Sequence, residues 1–383
     1  MSSMQFENMR SLSIIREKKV QKEIVQGRNR IDRDLTIKKS TIDEKIEATF
    51  FVLKNRSDAS DLVLIDQVIN DAKSSFSKLS ENGEKAILSP SEKLALEIVV
   101  IADGSRPAIR IKDGKLDPEG LPLGQWEELL NFKESLIISA SKSVGRIEIP
   151  IYGDQWRMQG TGFPIAPNLI ITNMHVVKKL ASAIYREGQW NLNFFYDGKS
   201  RIRFGEKHFR IVKEVCIGPH PSPYTNSVSN MDFAVLEIAD DEGFGFPKNF
   251  GVSSRDGLVE NGELVFSLGY PSRPPAGDVA PEILERLFKF KFGVLRVSPG
   301  DVITTQGDHP IDIEDHLFTH NCTTLNGNSG SPIIRFSENE GDGISVAGLH
   351  FGGVYLENPI NCAHPFSLIL PHFPDGILEH NLS

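Results

Sequence analysis

The chain reads as an antiparallel all-β unit, a barrel or a sandwich, that follows a mainly α-helical region. Three observations predict this. After Val144 the apolar residues fall into short, β-branched runs: GRIEI, GTGFPI, NLIITN, RIRFG, FAVLEI, LVFSLGY, GVLRV, SPIIRF and VAGLHFGGV. Gly, Pro, Asn and Asp separate these runs, which is the punctuation of a many-stranded unit. Before that point apolar residues recur at helical spacing among many Lys, Arg, Glu, Asp and Ser. The change of period puts a boundary at about residue 142. It separates a helical region, 1–142, with an interaction or regulatory role expected, from a β unit, 143–383.

In the first region Ile42, Ile46, Phe50 and Leu53 share one helical face behind Ser40 and Thr41, which can cap. Leu62, Ile65, Ile69, Ala72, Phe76 and Leu79 form a second stripe, which stops near Asn82-Gly83. Ser89-Pro90-Ser91-Glu92 opens a third, short helix. AIRIKDGKL alternates about Asp113-Gly114, the signal of a hairpin with a tight turn. A last helix is expected from about Gly124 to Ser141, with Trp126, Leu129, Leu130 and Ile137 on its apolar side.

The net charge is −9, which argues against binding nucleic acid by counterion release and gives no attraction to an anionic membrane. The run REKKVQKEIVQGRNRIDRD is interrupted by acids and reads as a solvated helix face. No window approaches the length of a membrane span. The N-terminus, MSSMQFENMRSLSIIREKK, lacks the apolar core of a signal peptide, so a cytoplasmic location is expected. Cys216, Cys322 and Cys362 are odd in number and match no zinc spacing; reduced, partly buried thiols are expected. The histidines show no HExxH pattern, and neither a metal nor another cofactor is expected.

Three segments of the β unit each present one chemically useful residue. GTGFPIAPNLIITNMHVV offers His175 at the end of an apolar strand. NMDFAVLEI offers Asp232 just before a buried strand. TTLNGNSGSPII offers Ser329 among glycines. A serine hydroxyl is a poor nucleophile near neutrality. A neutral imidazole can take its proton, and a carboxylate can fix the imidazole tautomer and stabilise the imidazolium. The glycines let the amides of Gly327 and Ser329 converge on a developing oxyanion. Taken singly, the three residues could equally be a satisfied strand histidine, a strand-capping acid and a turn serine.

The order His, Asp, Ser within TNMHVV, DFAVLEI and GNSGSP resembles the chymotrypsin-fold serine peptidases, nearest their bacterial trypsin-like and glutamyl endopeptidase branch. The resemblance covers about residues 144–380. It implies two packed six-stranded antiparallel barrels, with His175 and Asp232 from the first and Ser329 from the second. It also implies hydrolysis of peptide bonds through an acyl-enzyme, with a protein or peptide as the substrate. LGYPSR would start a strand of the second barrel, and NCAHPFSLIL would be its closing strand and terminal helix.

Glutamyl endopeptidases carry a histidine in a GIHWGG-like motif and a threonine five residues before the nucleophile. The matching positions here are His350 and Thr324, so the resemblance implies an acidic P1 preference, with Glu against Asp left open. The secreted members also use a mature N-terminal amine, which the preceding 140 residues would keep from this site. Asn328 stands where zymogen-type trypsins carry an aspartate, and it cannot pair with a newly cut amine. Two alternatives stand beside this reading. One is a peptidase released by a signal, as in a stress or anti-phage response, to cut a dedicated partner. The other is a module that binds peptide without turnover.

Overall fold

A computed structural model gives the fold. It describes residues 106–374, apart from 153, 187–188, 219–230, 251–258, 275–280, 310–311, 313, 337–342 and 355–359, together with Ser74 and Lys78. The three helices expected before residue 100 lie outside the described residues, save that Ser74 and Lys78 are helical. The chain divides into two compact units, 1–103 and 104–383, and the fold described is that of the second. The hairpin and helix before residue 142 therefore stand with the β-strands, not with the stretch the change of period groups them with.

The reason is pairing and burial. Strands β1 (Ile109–Lys112) and β2 (Lys115–Asp117) form the expected hairpin. Asp113 and Gly114 have φ of 51° and 71°, the doubly left-handed pair of a type I′ turn. A single 3₁₀ turn at Gly124–Trp126 leads into helix α1 (Glu127–Ser141). Its apolar side is the predicted one: Trp126, Leu130 and Ile137 are buried in the main core, and the Trp126 ring meets Phe266 edge-on at 6.3 Å.

The first barrel closes through β3 (Gly145–Pro150), β4 (Trp156–Ala166), β5 (Leu169–Thr172), β8 (Arg201–Phe204), β9 (Lys207–Ile217) and β10 (Ala234–Ala239), in the order β10-β5-β4-β3-β8-β9. A one-turn helix, α2 (Met174–Val177), follows β5. A separate hairpin, β6 (Ala181–Arg186) and β7 (Gln189–Phe194), lies beyond it. The second barrel comprises β11 (Leu264–Gly269), β12 (Arg296–Thr304), β13 (Phe318–His320), β14 (Pro332–Phe336), β15 (Ile344–Val354) and β16 (Ile360–Pro365). Its order is β11-β14-β15-β16-β13-β12, and the β11–β12 pairing closes it. Helix α3 (Pro281–Phe288) precedes β12, and helix α4 (Phe366–Ile369) follows β16 and runs into a 3₁₀ turn at Leu370–His372.

Two closed six-stranded antiparallel barrels are thus the architecture, and strand β1 adds to the outside of the second by pairing with β12. The main core draws Phe163 and Phe233 from the first barrel and Phe266, Leu349 and Phe366 from the second. Closure removes sheet edges, and burial on the inner face explains the alternating runs. Five strands were not legible as runs: β6, β7, β9, β13 and β16, the last expected only from the resemblance. In β9, KHFRIVKEVCI, charged residues occupy the exposed face, and β13 has only three residues. LGYPSR ends β11 at Gly269, where a strand start was expected.

Candidate active site

His175 sits on α2. Met174, Val176 and Val177 of this turn are buried, which leaves His175 as its accessible residue. The turn is tied back to Asn173 by the Val176 and Val177 amides. Strand β10 pairs with β5, Ala234 opposite Thr172, and so brings Asp232 beside the turn. The Asp232 carboxylate grips His175 twice. Oδ2 lies 2.5 Å from the ring Nδ1, and Oδ1 accepts the His175 backbone N–H at 2.9 Å. Burial alone would raise the Asp232 carboxyl, but the charge and hydrogen bonds of His175 hold it below its usual range. The His175 side chain is 32% exposed against 6% for Asp232, so one ring face stays open to a substrate while the acid does not.

Ser329 lies in the loop between β13 and β14. The loop is pinned from several sides: the Gly330 N–H donates to the His350 carbonyl, the His350 N–H to the Ser331 carbonyl, and the Ser331 N–H to the Asn328 carbonyl. Gly330 has φ of +87°, and a Cβ there would overlap the Thr161 carbonyl oxygen and Thr172 Oγ1. Gly327 has φ of +92°, and its Cβ would come within 2.6 Å of the Tyr270 carbonyl oxygen. Only glycine fits either position. The amides of Gly327 and Ser329 donate to no group among the described residues, which leaves both free for a ligand oxygen. The Ser329 hydroxyl lies 3.5 Å from the Phe351 carbonyl, and no hydrogen bond joins it to His175 among the described residues.

Thr161 of β4 couples the barrels here. Its N–H donates to the Ser329 carbonyl at 2.8 Å, and its Oγ1 donates to the Gly327 carbonyl at 2.7 Å. Its signal was the GTGFPI run, which reads only as a strand.

Thr324 Oγ1 donates to Asn361 Oδ1 at 2.6 Å, and Asn361 Nδ2 donates to the Cys322 carbonyl at 2.6 Å. His350 is buried on β15, and its Nδ1 lies 3.3 Å from Nε2 of buried His320 on β13. The remaining His320 nitrogen, Nδ1, has no partner among the described residues. A buried lone pair is cheaper to leave unmatched than a buried N–H. That favours His320 Nε2–H donating to His350 Nδ1, with the proton of His350 on Nε2. Burial, reinforced by the nearby His175 charge, pushes His350 down to about 3, so it is neutral near pH 7.

Residues 160–344 match the family model of the trypsin-like peptidase domain. A curated relative from Lysobacter enzymogenes, "Probable serine protease FE772_23060", is 30% identical over 309 residues, 75% of this chain and 76% of that one. This chain belongs to the trypsin-like serine peptidases. Among solved structures, the inactive form of the Rv3671c protease aligns at 19% identity with a TM-score of 0.38, over 64% of this chain and 93% of that one. The active form from M. tuberculosis aligns at 19% identity with a TM-score of 0.37, over 64% and 85%.

The peptidase therefore places its six predicted site residues in two groups: His175 with Asp232, and Gly327, Ser329 and Thr324 in one loop whose Gly330 amide donates to the His350 carbonyl. Sequence reading missed four residues that touch them: Thr161, His320, Asn361 and His364. Among the described residues of the peptidase no helix is long and apolar enough to cross a membrane.

Proposed function

We propose that this serine endopeptidase works through Ser329 as nucleophile, His175 as base and then acid, and Asp232 as the group that orients the imidazole. The doubly bonded His175–Asp232 pair carries the reading. With Asp232 held to Nδ1, the proton of neutral His175 stays on that nitrogen, and Nε2 is the basic one. Ser329 Oγ gives its proton to Nε2 as it attacks the peptide carbonyl carbon. The oxyanion forms against the free amides of Gly327 and Ser329. Collapse passes the proton to the leaving amine and leaves an acyl-enzyme, which water then opens by the reverse path. Contacts between nucleophile and base commonly tighten only when substrate binds, and among the described residues the Ser329 hydroxyl has only the 3.5 Å contact with Phe351 to give up.

A fluorophosphonate probe tests this. The native chain labels, and Ser329→Ala and His175→Ala do not. Undiminished labelling of Ser329→Ala would sink the assignment.

The proposal extends to an acidic P1 preference, as in the glutamyl endopeptidases. It is supported by the place of His350, which is buried and neutral near pH 7 on β15 and whose carbonyl accepts the Gly330 N–H of the loop that carries Ser329. Thr324 has already given its hydroxyl proton to Asn361, so its share is to fix the wall and not to bind the acid directly. Hydrogen bonds to a charged group contribute about 1.5–3 kcal/mol. Glu over Gln at P1 is therefore expected by at least roughly tenfold in kcat/KM in a peptide series varied only there, a preference that His350→Val removes. Equal cleavage of both peptides by the native chain would remove the acidic reading and leave the triad untouched.

Control by the N-terminal region belongs to the same proposal. The Arg106 carbonyl accepts the Thr323 hydroxyl at 2.8 Å, one residue from Thr324, so the incoming chain reaches this wall. Rates of the full chain with and without a candidate protein partner test it; identical rates count against it.

A further inference from the structure

The Asp232 carboxylate is held by His175, but its backbone must be held by something else. Asp232 precedes β10 and contributes to no strand pairing. Its carbonyl accepts Asn173 Nδ2 at 2.8 Å. Its N–H donates to Nε2 of His364 at 3.0 Å. His364 is fully buried on β16, so this hydrogen bond crosses from the second barrel to the first.

The other contacts of His364 fix its role. Nδ1 lies 3.0 Å from the His316 carbonyl, which can only accept. The ring proton is therefore on Nδ1, and Nε2 offers a lone pair. The ring stacks on Phe351 at 4.3 Å and 18°, and the Phe351 carbonyl is the one that faces Ser329 Oγ. One side chain thus touches the backbone of the acid on one edge and the residue beside the nucleophile on its face.

We propose that His364 is a positioning residue, an inter-barrel clasp that sets Asp232 against His175 and Phe351 against Ser329. The inference rests on the triad reading above. It assigns to a buried strand histidine the task of fixing the relative placement of acid and nucleophile, which come from different barrels. A misplacement of about 1 Å in such a constellation costs on the order of 10²-fold in rate. The titratable groups facing the ring are Asp232 from the first barrel, and His316 and Asp312 from the loop before β13. Protonation of His364 would turn its acceptor into a donor opposite the Asp232 N–H. Burial pushes its titration down to about 4, so the clasp is intact near neutrality and opens only in acid.

Three variants of the full chain decide the matter. His364→Met keeps the volume and the Phe351 contact but offers no good acceptor. His364→Gln keeps an acceptor and a donor and cannot be protonated. Asp232→Asn controls for the triad itself. The expected result is a fall of roughly ten- to hundredfold in kcat for His364→Met, with KM changed less than about twofold. His364→Gln is expected within about threefold of native at pH 7. The low-field proton resonance of the His175–Asp232 hydrogen bond should shift or broaden in the Met variant and persist in the Gln variant.

If Asp232→Asn keeps native kcat, the triad reading fails and the clasp with it. If Asp232→Asn is inactive while His364→Met keeps native kcat and resonance, the clasp alone fails. Should His364→Met not fold, the Gln variant decides. A folded His364→Gln that loses about a hundredfold in kcat or lacks the resonance overturns the proposal, and a native-like one supports it.

Discussion

At the scale of the residue, the site depends on atoms that are absent as much as on those present. Gly330 tolerates no Cβ, because the Thr161 carbonyl and the Thr172 hydroxyl fill that space. Gly330→Ala would displace the loop that carries the free Gly327 and Ser329 amides. A loss of about 10²–10³ in kcat is expected, comparable to removing an oxyanion donor. Burst titration with a slow ester should show fewer competent sites while the far-ultraviolet dichroism stays native; a full native burst would contradict this. His175, Asp232 and Ser329 could be proposed from the sequence because each stands in a short run whose residue types such chemistry requires. His364, His320 and Asn361 were not. Their roles depend on strand register, on Ala363 standing opposite both His350 and Phe318, and no local pattern announces that.

At the scale of the element, the hairpin was legible from Asp113-Gly114, but its partner was not. Strand β1 joins β12 with Ile109 opposite Val297. The join is locked by charge. Arg296 is buried, and its Nη2 donates to Glu119 Oε2 at 2.9 Å and to the Phe288 carbonyl at 2.9 Å, while Nη1 donates to the Ala108 carbonyl at 2.6 Å. Lys291 reaches Glu119 Oε1 at 2.8 Å. Burial would raise the Glu119 carboxyl, but Lys291 and Arg296 keep it below its usual value. Removing one partner of a buried ion pair strands the other. Glu119→Gln is therefore expected to cost about 3 kcal/mol, read as a lower urea midpoint with an unchanged slope. A change below about 0.5 kcal/mol would mean that water already satisfies Arg296.

At the scale of the whole molecule, the two barrels were expected from the motifs and the many short runs, and they are what the chain forms. The boundary differed because helical spacing marks a change of element type, not a change of folding unit. Both barrels share a core that buries several neutral histidines. His364 is pushed by burial to about 4, His350 to about 3, and His320 well below its ordinary value. The unfolded chain binds protons at these groups from about pH 6.5 downward, whereas the folded chain does not until about pH 4. Stability therefore falls as pH drops through that window, by about 1.4 kcal/mol per pH unit for each group fully protonated only when unfolded. Urea melts at pH 7, 6, 5 and 4.5 should show this slope, and His364→Gln should reduce it by about one proton. A flat profile over that range would exclude neutral burial of these rings.

The placement of β1 on the outside of the second barrel also bears on how the chain could be divided. From β1 the polypeptide crosses through α1 to β3 of the first barrel before it returns to build the second. Within the second unit, the piece 104–142 is joined to the rest by one peptide bond and by contacts that include the β1–β12 ladder, the hold of Arg296 and Lys291 on Glu119, the Thr323–Arg106 hydrogen bond and the apolar side of α1. A chain begun at 143 would lay bare the seat of Trp126, Leu130 and Ile137. The same piece supplied as a separate peptide should dock back and restore activity. The peptidase could then be run as a two-fragment reporter, whose cleavage signal appears only when something brings the fragments together.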